Sequence, residues 1–405
     1  MAAGERTNVA VVGAGQAGLA TSYELSRAGI EHLVLERDSV GGSWRRRWDS
    51  FCLVTPNWSV RLPGGGYRGP DPDGFIPRDE IVDHLLRYAD DFGAPIREGI
   101  DVRSLTQADG GGFDLETSDG DVRAASVVVC TGAYQRPYRP PGAAMLPADL
   151  AQVGAEEYRN PGSLAAGRVL VVGSGQTGCQ IAEDLLRAGR EVFLSCGRAS
   201  WVPRRLGGRD IVWWLLEIGF MDDPVTSLAS PSARLAANPQ ATGREGGHDL
   251  TARTLRDAGV TLLGHFLGAD GGRARFAPDL AESIAWGDDR YREVMDRVRG
   301  HVVERGLPMP HIAEPAPFDA DAPEDLDLSG FSAVVFTGGY RPDYGRWVHV
   351  PGAFDDLGFP IHRDGQSAVA PGLFFVGVHF LRTRKSSLLL GVGEDAAIVA
   401  STLAA

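Results

Sequence analysis

A glycine-rich turn occurs twice in this chain and constrains its fold more than any other feature. VVGAGQAG at residues 11–18 returns as VVGSGQTG at residues 171–178, and the two stretches align without a gap through the segment that follows. In each copy a short apolar run precedes GxGxxG and about three helical turns follow, which indicates a strand, a tight turn and a helix. The repeat therefore predicts two strand-turn-helix-strand units of the dinucleotide-binding type.

The glycines have a physical purpose in such a unit. A pyrophosphate binds against backbone N–H groups at the helix N-terminus, and a Cβ at the turn would block its approach. We expect each turn to bind one dinucleotide through three glycines and a glutamine. These residues are Gly13, Gly15, Gln16 and Gly18 in the first unit, and Gly173, Gly175, Gln176 and Gly178 in the second.

The two units differ where the second strand ends. The first unit has Glu36 there, and a carboxylate at this position accepts hydrogen bonds from the hydroxyls of an adenosine ribose. The second unit has Cys196, followed by Arg198 and Arg204. Guanidinium groups can hold a 2′-phosphate that a carboxylate would repel. We therefore predict FAD in the first unit and NADP in the second, the alternative being that these arginines belong to an ordinary solvated loop.

The chain is long enough for more than one domain, because a single core stops growing near about 250–300 residues. Two apolar strands, at 122–132 and 332–339, each end in Thr-Gly, and we place the second dinucleotide-binding domain between them. The predicted fold class is α/β, with an NADP-binding Rossmann-like domain inserted into an FAD-binding one. The predicted boundaries are 1–140 for the first part of the FAD-binding domain, 141–330 for the inserted domain with a substrate-entrance insertion at about 207–310, and 331–405 for the second part of the FAD-binding domain.

Further glycines are expected to approach the flavin. Thr131 and Gly132 end one of the apolar strands, and Gly377 lies in the apolar run GLFFVGVHF. Near the C-terminus Gly391 and Gly393 open an apolar helix, and a helix N-terminus directed at the flavin ring would stabilise the charge of its reduced form. A plain helix entry is the alternative interpretation of these last two glycines.

Composition and charge disfavour several classes of function. A net charge of −13 repels a polyphosphate backbone, so we expect no nucleic-acid partner. The N-terminal apolar run is too short for a signal peptide, and no stretch reaches the roughly 18 apolar residues of a membrane span, so we expect a cytoplasmic protein. The four cysteines and nine histidines show no metal-binding spacing, and we predict no metal site.

Taken together, these segments resemble the class B flavin-dependent monooxygenases. The matching pieces include GAGQAG with Glu36, GGSWRRRWDSFCLVTPNW at 41–58, CTGAYQRP, EEYRNP, VVGSGQTG, GRASWVPRR, GGYRPDY and TRKSSLLLGVGEDA. The resemblance implies that Gly42 and Trp44 lie along the flavin and that Tyr340 and Arg341 lie beside the nicotinamide nucleotide. Thr55, Asn57 and Arg341 are then the candidates for contacts around the reacting atoms.

The reaction implied by this resemblance consumes NADPH and O2. NADPH reduces FAD, oxygen adds at the flavin C4a, and the resulting (hydro)peroxyflavin passes one oxygen atom to a small organic substrate. N- or S-oxygenation is favoured over Baeyer-Villiger insertion and oxidative decarboxylation. The oligomeric state is left open, with a homodimer as one arrangement.

The chain departs from the family pattern at one position that keeps other functions open. Gly154 stands where the family fingerprint has a histidine, which puts NADP retention in doubt and keeps an uncoupled NADPH oxidase as an alternative. A non-catalytic flavoprotein redox sensor is a further alternative, although both glycine turns are intact. A disulfide reductase needs a thiolate beside the flavin, but GGSW places Trp44 there, and Cys52 has no cysteine close to it in sequence.

Overall fold

The computed structural model describes residues 5–236 and 238–405. Its α-helices are Gln16–Arg27 (α1), Gly42–Arg45 (α2), Arg78–Phe92 (α3), Gln176–Arg187 (α4), Ile211–Glu217 (α5), Ala252–Asp257 (α6), Leu280–Arg305 (α7) and Val392–Ala404 (α8). Its strands are Glu5–Val12 (β1), His32–Leu35 (β2), Arg61–Leu62 (β3), Gly65–Gly66 (β4), Ile96–Arg97 (β5), Val102–Gln107 (β6), Phe113–Thr117 (β7), Val122–Val129 (β8), Arg136–Pro137 (β9), Ala151–Gly154 (β10), Arg168–Val172 (β11), Val192–Ser195 (β12), Arg205–Leu206 (β13), Arg209–Asp210 (β14), Thr261–Leu263 (β15), Phe266–Asp270 (β16), Arg273–Phe276 (β17), Asp325–Asp327 (β18), Phe331–Phe336 (β19), Tyr340–Arg341 (β20), His362–Arg363 (β21), Gln366–Ser367 (β22) and Leu373–Phe375 (β23).

The first sheet is built from both ends of the chain. Its order is β21-β22-β23-β8-β1-β2-β5, and the hairpin of β6 and β7 joins it at β8. The apolar run that precedes the first glycine turn forms the central strand β1, whose neighbours β2 and β8 are parallel to it. The run is uniformly apolar because a central parallel strand is covered on both faces. Helices α1 and α8 pack together beside this sheet.

The second sheet has the order β10-β19-β11-β12-β15, and its paired strands are all parallel. It repeats the first arrangement, because β11, α4 and β12 correspond to β1, α1 and β2. The nested α/β architecture predicted from the repeat is thus observed.

One predicted domain boundary differs from the sheet order that the structure shows. We assigned residues 331–336 to the second part of the FAD-binding domain, but β19 lies between β10 and β11 in the second sheet. The return to the first domain therefore follows Phe336. There the short strand β20 pairs with β9, so the outgoing and returning chains cross between the domains as one antiparallel ribbon.

No helix within residues 5–236 and 238–405 combines the length and apolarity required to cross a membrane.

Candidate active site

The first glycine-rich turn leaves its helix N-terminus open to a ligand. Gly13 has a φ of +103°, and Gly15 precedes α1 with no side chain capping the helix. A Cβ built on Gly15 would meet nothing within 4 Å, whereas a Cβ on Gly18 would lie 1.8 Å from the Gly13 carbonyl oxygen. The turn thus presents unpaired backbone N–H groups beside open space, which is the environment that fits a pyrophosphate.

Glu36 is fixed at the edge of this turn. Its Oε2 accepts a hydrogen bond from the backbone N–H of Ala14 at 2.6 Å, and its Oε1 accepts one from Asp38 at 2.9 Å. Each carboxylate oxygen retains capacity for a further hydrogen bond. Glu36 therefore stands at the carboxyl end of β2, where a ribose hydroxyl could donate to it.

Gln16 connects three segments that are far apart in sequence. The indole N–H of Trp44 donates to Gln16 Oε1 at 3.0 Å, and Gln16 Nε2 donates to the Ser387 carbonyl at 3.2 Å. Gly42, at the start of α2, is buried close by in the same segment as Trp44. The first turn, the GGSW segment and the loop before α8 therefore meet, as the predicted flavin contacts of Gly42 and Trp44 require.

Two of the other predicted glycines lie at the same edge of the first sheet. Gly132 and Gly377 follow the neighbouring strands β8 and β23 and have φ values of +70° and +79°. Nothing lies within 4 Å of a Cβ built on Gly132, whereas a Cβ on Gly377 would lie 2.4 Å from that of Ala17 in α1. Thr131 is exposed beside Gly132. Gly132 and Thr131 remain candidates for ligand contact, while Gly377 is required by the approach of α1.

The glycines that open α8 are explained by packing. A Cβ on Gly391 would lie 2.5 Å from the Lys385 carbonyl oxygen, and one on Gly393 would lie 2.9 Å from the Pro63 ring. Both positions therefore need glycine in the absence of any ligand, which favours the helix-entry interpretation.

Asn57 holds a loop with its amide. Its Nδ2 donates to the Asp71 carbonyl at 2.8 Å, and its Oδ1 accepts the Ile76 backbone N–H at 2.7 Å. The side chain is buried, and both of its polar atoms are engaged, so the structure favours a positioning role over direct contact with reacting atoms. Thr55, two residues earlier, is half-buried.

A cleft of about 330 Å³ lies against the loop that Asn57 holds. Its walls come from residues 49–52 and 71–77 of the first domain and 243–246 of the predicted insertion. This volume is within the range of small-molecule sites. The insertion also pairs with the first domain elsewhere, because the Val225 N–H donates to the Arg382 carbonyl at 2.8 Å.

The second glycine-rich turn repeats the geometry of the first. Gly173 has a φ of +113°, and Gly175 precedes α4 with no side-chain cap. A Cβ on Gly178 would lie 1.8 Å from the Gly173 carbonyl oxygen and 2.7 Å from Thr337 Oγ1. Gln176 accepts the Ala241 N–H at 2.9 Å, so the insertion rests on this turn as the C-terminal loop rests on the first.

The two predicted arginines of the second unit lie in different environments. Arg198 is exposed, and among residues 5–236 and 238–405 it forms no ion pair. Arg204 is only 1% exposed; its guanidinium pairs with Asp210 and donates to the Val54 carbonyl at 2.7 Å. Our prediction that Arg204 binds a 2′-phosphate is therefore corrected, because its charge is already buried against a carboxylate. Arg198 remains the candidate ligand for the 2′-phosphate.

The crossing ribbon places aromatic rings between the two sheets. The rings of Tyr134 and Tyr340 are 5.6 Å apart, and the Arg341 guanidinium lies 4.3 Å from the Tyr138 ring centroid. Tyr134 is 54% exposed, yet desolvation raises the pKa of its phenol. We call Tyr134 and Tyr340 the tyrosine pair. Burial also lowers the pKa of Arg341, which pairs with Arg136 in the ribbon.

Sequence reasoning missed His379, which lies 6.1 Å from the Tyr134 ring. The imidazole is buried, and its Nδ1 has no hydrogen-bond partner among the described residues. Burial, reinforced by the charge of Arg384, lowers its pKa to about 4, so the ring is neutral near pH 7. The next residue, Phe380, has a φ of +52°, a strained backbone for a bulky side chain. The only signal in the sequence was the position of His379 two residues after Gly377.

The cysteines do not form a redox pair among the described residues. All four are free, and burial raises the pKa of Cys52 to about 11. A thiol with such a pKa is almost fully protonated near pH 7 and does not supply the reactive thiolate that a disulfide reductase needs.

Gly154, at the position of the family histidine, lies in β10, and its N–H donates to Glu157 Oε2 at 2.7 Å.

The chain is similar in sequence and in structure to known oxidoreductases. A family model of the pyridine nucleotide-disulphide oxidoreductases matches residues 10–207. The chain is 32% identical over 391 residues to "Uncharacterized oxidoreductase CzcO-like" of Geobacillus kaustophilus, with 96% of each chain covered. It is 29% identical over 229 residues to flavin-containing monooxygenase 5 of Oryctolagus cuniculus, covering 51% of this chain and 42% of that protein. Its structure matches a flavin-containing monooxygenase from Stenotrophomonas maltophilia with a TM-score of 0.69 at 18% identity over 98% of each chain, which shows a shared fold.

Proposed function

Since this chain belongs to the CzcO-like oxidoreductases, a class B flavin monooxygenase-like family, we propose that it transfers one oxygen atom from O2 to a nitrogen or sulfur atom of a small organic metabolite. The protein is an oxidoreductase that uses FAD and NADP. We assign FAD to the first glycine turn and NADP to the second. Bound FAD supplies acceptance of a hydride from NADPH and delivery of oxygen from O2.

The observation that carries this proposal is Trp44 beside the first turn. A disulfide reductase requires a reactive thiolate at the flavin, but the indole of Trp44 occupies the GGSW segment and is fixed to Gln16 at 3.0 Å. Cys52, the half-buried cysteine of the cleft, has a raised pKa. Oxygen is therefore the electron acceptor that this site favours.

The preference for nitrogen or sulfur is supported by the tyrosine pair. The rings of Tyr134 and Tyr340 are 5.6 Å apart, and the neutral His379 lies 6.1 Å from the Tyr134 ring. Aromatic rings attract ammonium groups through their quadrupole and make favourable contacts with thioether sulfur. An amine or a thioether with a small apolar body would thus make favourable contacts with the tyrosine pair.

The experiment that tests this function measures coupling. The FAD-loaded enzyme is mixed with NADPH in air, and NADPH consumption is compared with peroxide release, with and without a panel of small amines and thioethers. We expect one or more compounds to lower the peroxide formed per NADPH and to yield a product one oxygen atom heavier. Ketone or 2-oxo-acid substrates acting instead would indicate Baeyer-Villiger insertion or oxidative decarboxylation.

Two other results would contradict the proposal. If peroxide equals NADPH consumed with every compound, the protein is an NADPH oxidase. If the yellow protein is not bleached by NADPH without oxygen, the non-catalytic sensor is supported.

Replacement of Arg198 tests the NADP assignment. Arg198→Glu should raise the KM for NADPH by about tenfold to 100-fold, because the loss of a charge-assisted hydrogen bond to the 2′-phosphate is followed by repulsion. The KM for NADH should change little. Arg205→Glu, also exposed but already close to Asp210, is the control for a general electrostatic effect. Equal losses with NADPH and NADH would show that Arg198 does not contact the 2′-phosphate.

A further inference from the structure

We propose that His265, held by Asp279, is a second ligand for the 2′-phosphate of NADPH; this rests on the proposed assignment of NADP to the second glycine turn. His265 follows β15, which pairs in parallel with β12 in the second sheet. Because the carboxyl ends of parallel strands meet at one edge, His265 lies beside the residues that follow β12. The sequence alone indicated only arginines as ligands for the 2′-phosphate at this edge.

The imidazole is directed at the expected phosphate position. Its Nε2 lies 3.0 Å from where a Cβ on Gly197 would stand, and Gly197 lies between Cys196 and Arg198. The side chain is half exposed, so a ligand can reach it. His265 therefore lies beside Gly197, the residue that precedes Arg198 in the chain.

Asp279 fixes the orientation of this ring. Its Oδ2 is 2.5 Å from His265 Nδ1, and its Oδ1 accepts the His265 backbone N–H at 2.9 Å. The carboxylate thus accepts a hydrogen bond from the Nδ1–H and leaves Nε2 to face the ligand. Asp279 is a positioning residue, and a proton on Nε2 would make the hydrogen bond to a phosphate oxygen charge-assisted.

The first unit shows the opposite chemistry at the corresponding positions. There β5 pairs with β2, and the residue after β5 is Glu98, whose Oε1 accepts the Val40 N–H at 2.7 Å. Glu36 therefore stands where the second unit has Cys196, and Glu98 stands where it has Gly264, the residue before His265, because Leu35 pairs with Arg97 as Ser195 pairs with Leu263. Two carboxylates at the first edge fit an adenosine without a 2′-phosphate, whereas a guanidinium and an imidazole at the second fit one that carries it.

The test uses fragments of the dinucleotide on the FAD-loaded protein. Calorimetric titration with 2′,5′-ADP and with 5′-ADP separates the contribution of the 2′-phosphate without turnover. We expect wild type to prefer 2′,5′-ADP. His265→Gln should weaken 2′,5′-ADP by about tenfold, since a charged hydrogen bond at a half-exposed site is lost, and should leave 5′-ADP unchanged. Asp279→Asn should produce a smaller loss of the same kind.

The remaining outcomes are distinguishable. His349→Gln, an exposed histidine of the first domain, should change neither affinity. Unchanged affinity of His265→Gln for 2′,5′-ADP, or an equal loss for both fragments, overturns the role of His265 while Arg198→Glu still reports on the NADP assignment. If wild type itself does not discriminate between the fragments, the NADP assignment fails and this proposal fails with it.

Discussion

Gly178→Ala should give a folded yellow protein that NADPH no longer reduces at a useful rate. A Cβ at this position would lie 1.8 Å from the Gly173 carbonyl oxygen and 2.7 Å from Thr337 Oγ1, so α4 must move away from the turn. The backbone N–H groups at its N-terminus would then be displaced from the pyrophosphate. A displacement on the order of 1 Å can cost about 100-fold in rate, and we expect at least that loss in anaerobic flavin reduction.

The repeated turn supplies the reciprocal variant. Gly18→Ala makes the same 1.8 Å contact with Gly13 and should lose FAD instead. Gly300→Ala is the matched control, because Gly300 is exposed in α7 and a Cβ there would meet nothing within 4 Å. This variant should bind FAD and should be reduced by NADPH as the wild type is. Flavin content and stopped-flow bleaching separate the three proteins. Normal reduction of Gly178→Ala, or loss of FAD from it, would contradict separate assignments for the two turns.

The features that sequence predicted correctly are local ones. The glycine turns, the apolar strands and the nested arrangement follow from short patterns whose meaning does not depend on distant residues. The domain boundary was misplaced because a Thr-Gly pair comes shortly after β19 as one does after β8, and that pair does not specify which sheet a strand joins. The pairing of β19 with β10 and β11, which depends on contacts between residues distant in sequence, places this strand in the second sheet.

The side chains of the site depend on such distant contacts. Arg198 and Arg204 look alike in GRASWVPRR, but only the fold shows that Arg204 is buried. A signal was available, since Gly207 and Gly208 have positive φ and join β13 to β14 as a two-residue hairpin that returns Asp210 to Arg204. His265 gave no such signal, because its place at the second turn arises from the neighbour of β12 in the sheet.

Asp210→Asn should lower the midpoint of thermal unfolding of the FAD-loaded protein by about 6–20 °C. Removing one partner of a buried ion pair leaves the other charge uncompensated, at a cost of about 3–5 kcal/mol, and each 1 kcal/mol shifts the midpoint by about 2–4 °C in a domain of this size. Arg204 is 1% exposed, so no water can replace the carboxylate. Asparagine retains the cap that Asp210 provides to the Val212 N–H at 2.9 Å, and the shift therefore reports the charge.

Controls separate this effect from a general loss of surface charge. Arg205→Gln removes an exposed arginine 3.7 Å from Asp210 and should shift the midpoint by no more than about 1–2 °C. The double variant Arg204→Met, Asp210→Leu removes both charges and should recover much of the loss, because an apolar pair of similar volume has no desolvation penalty.

Arg204 also donates to the Val54 carbonyl at 2.7 Å, in the segment that leads to Asn57. A recovered midpoint with impaired coupling of NADPH to product would show that this arginine positions the wall of the cleft; a double variant as unstable as Asp210→Asn would contradict the buried-charge explanation.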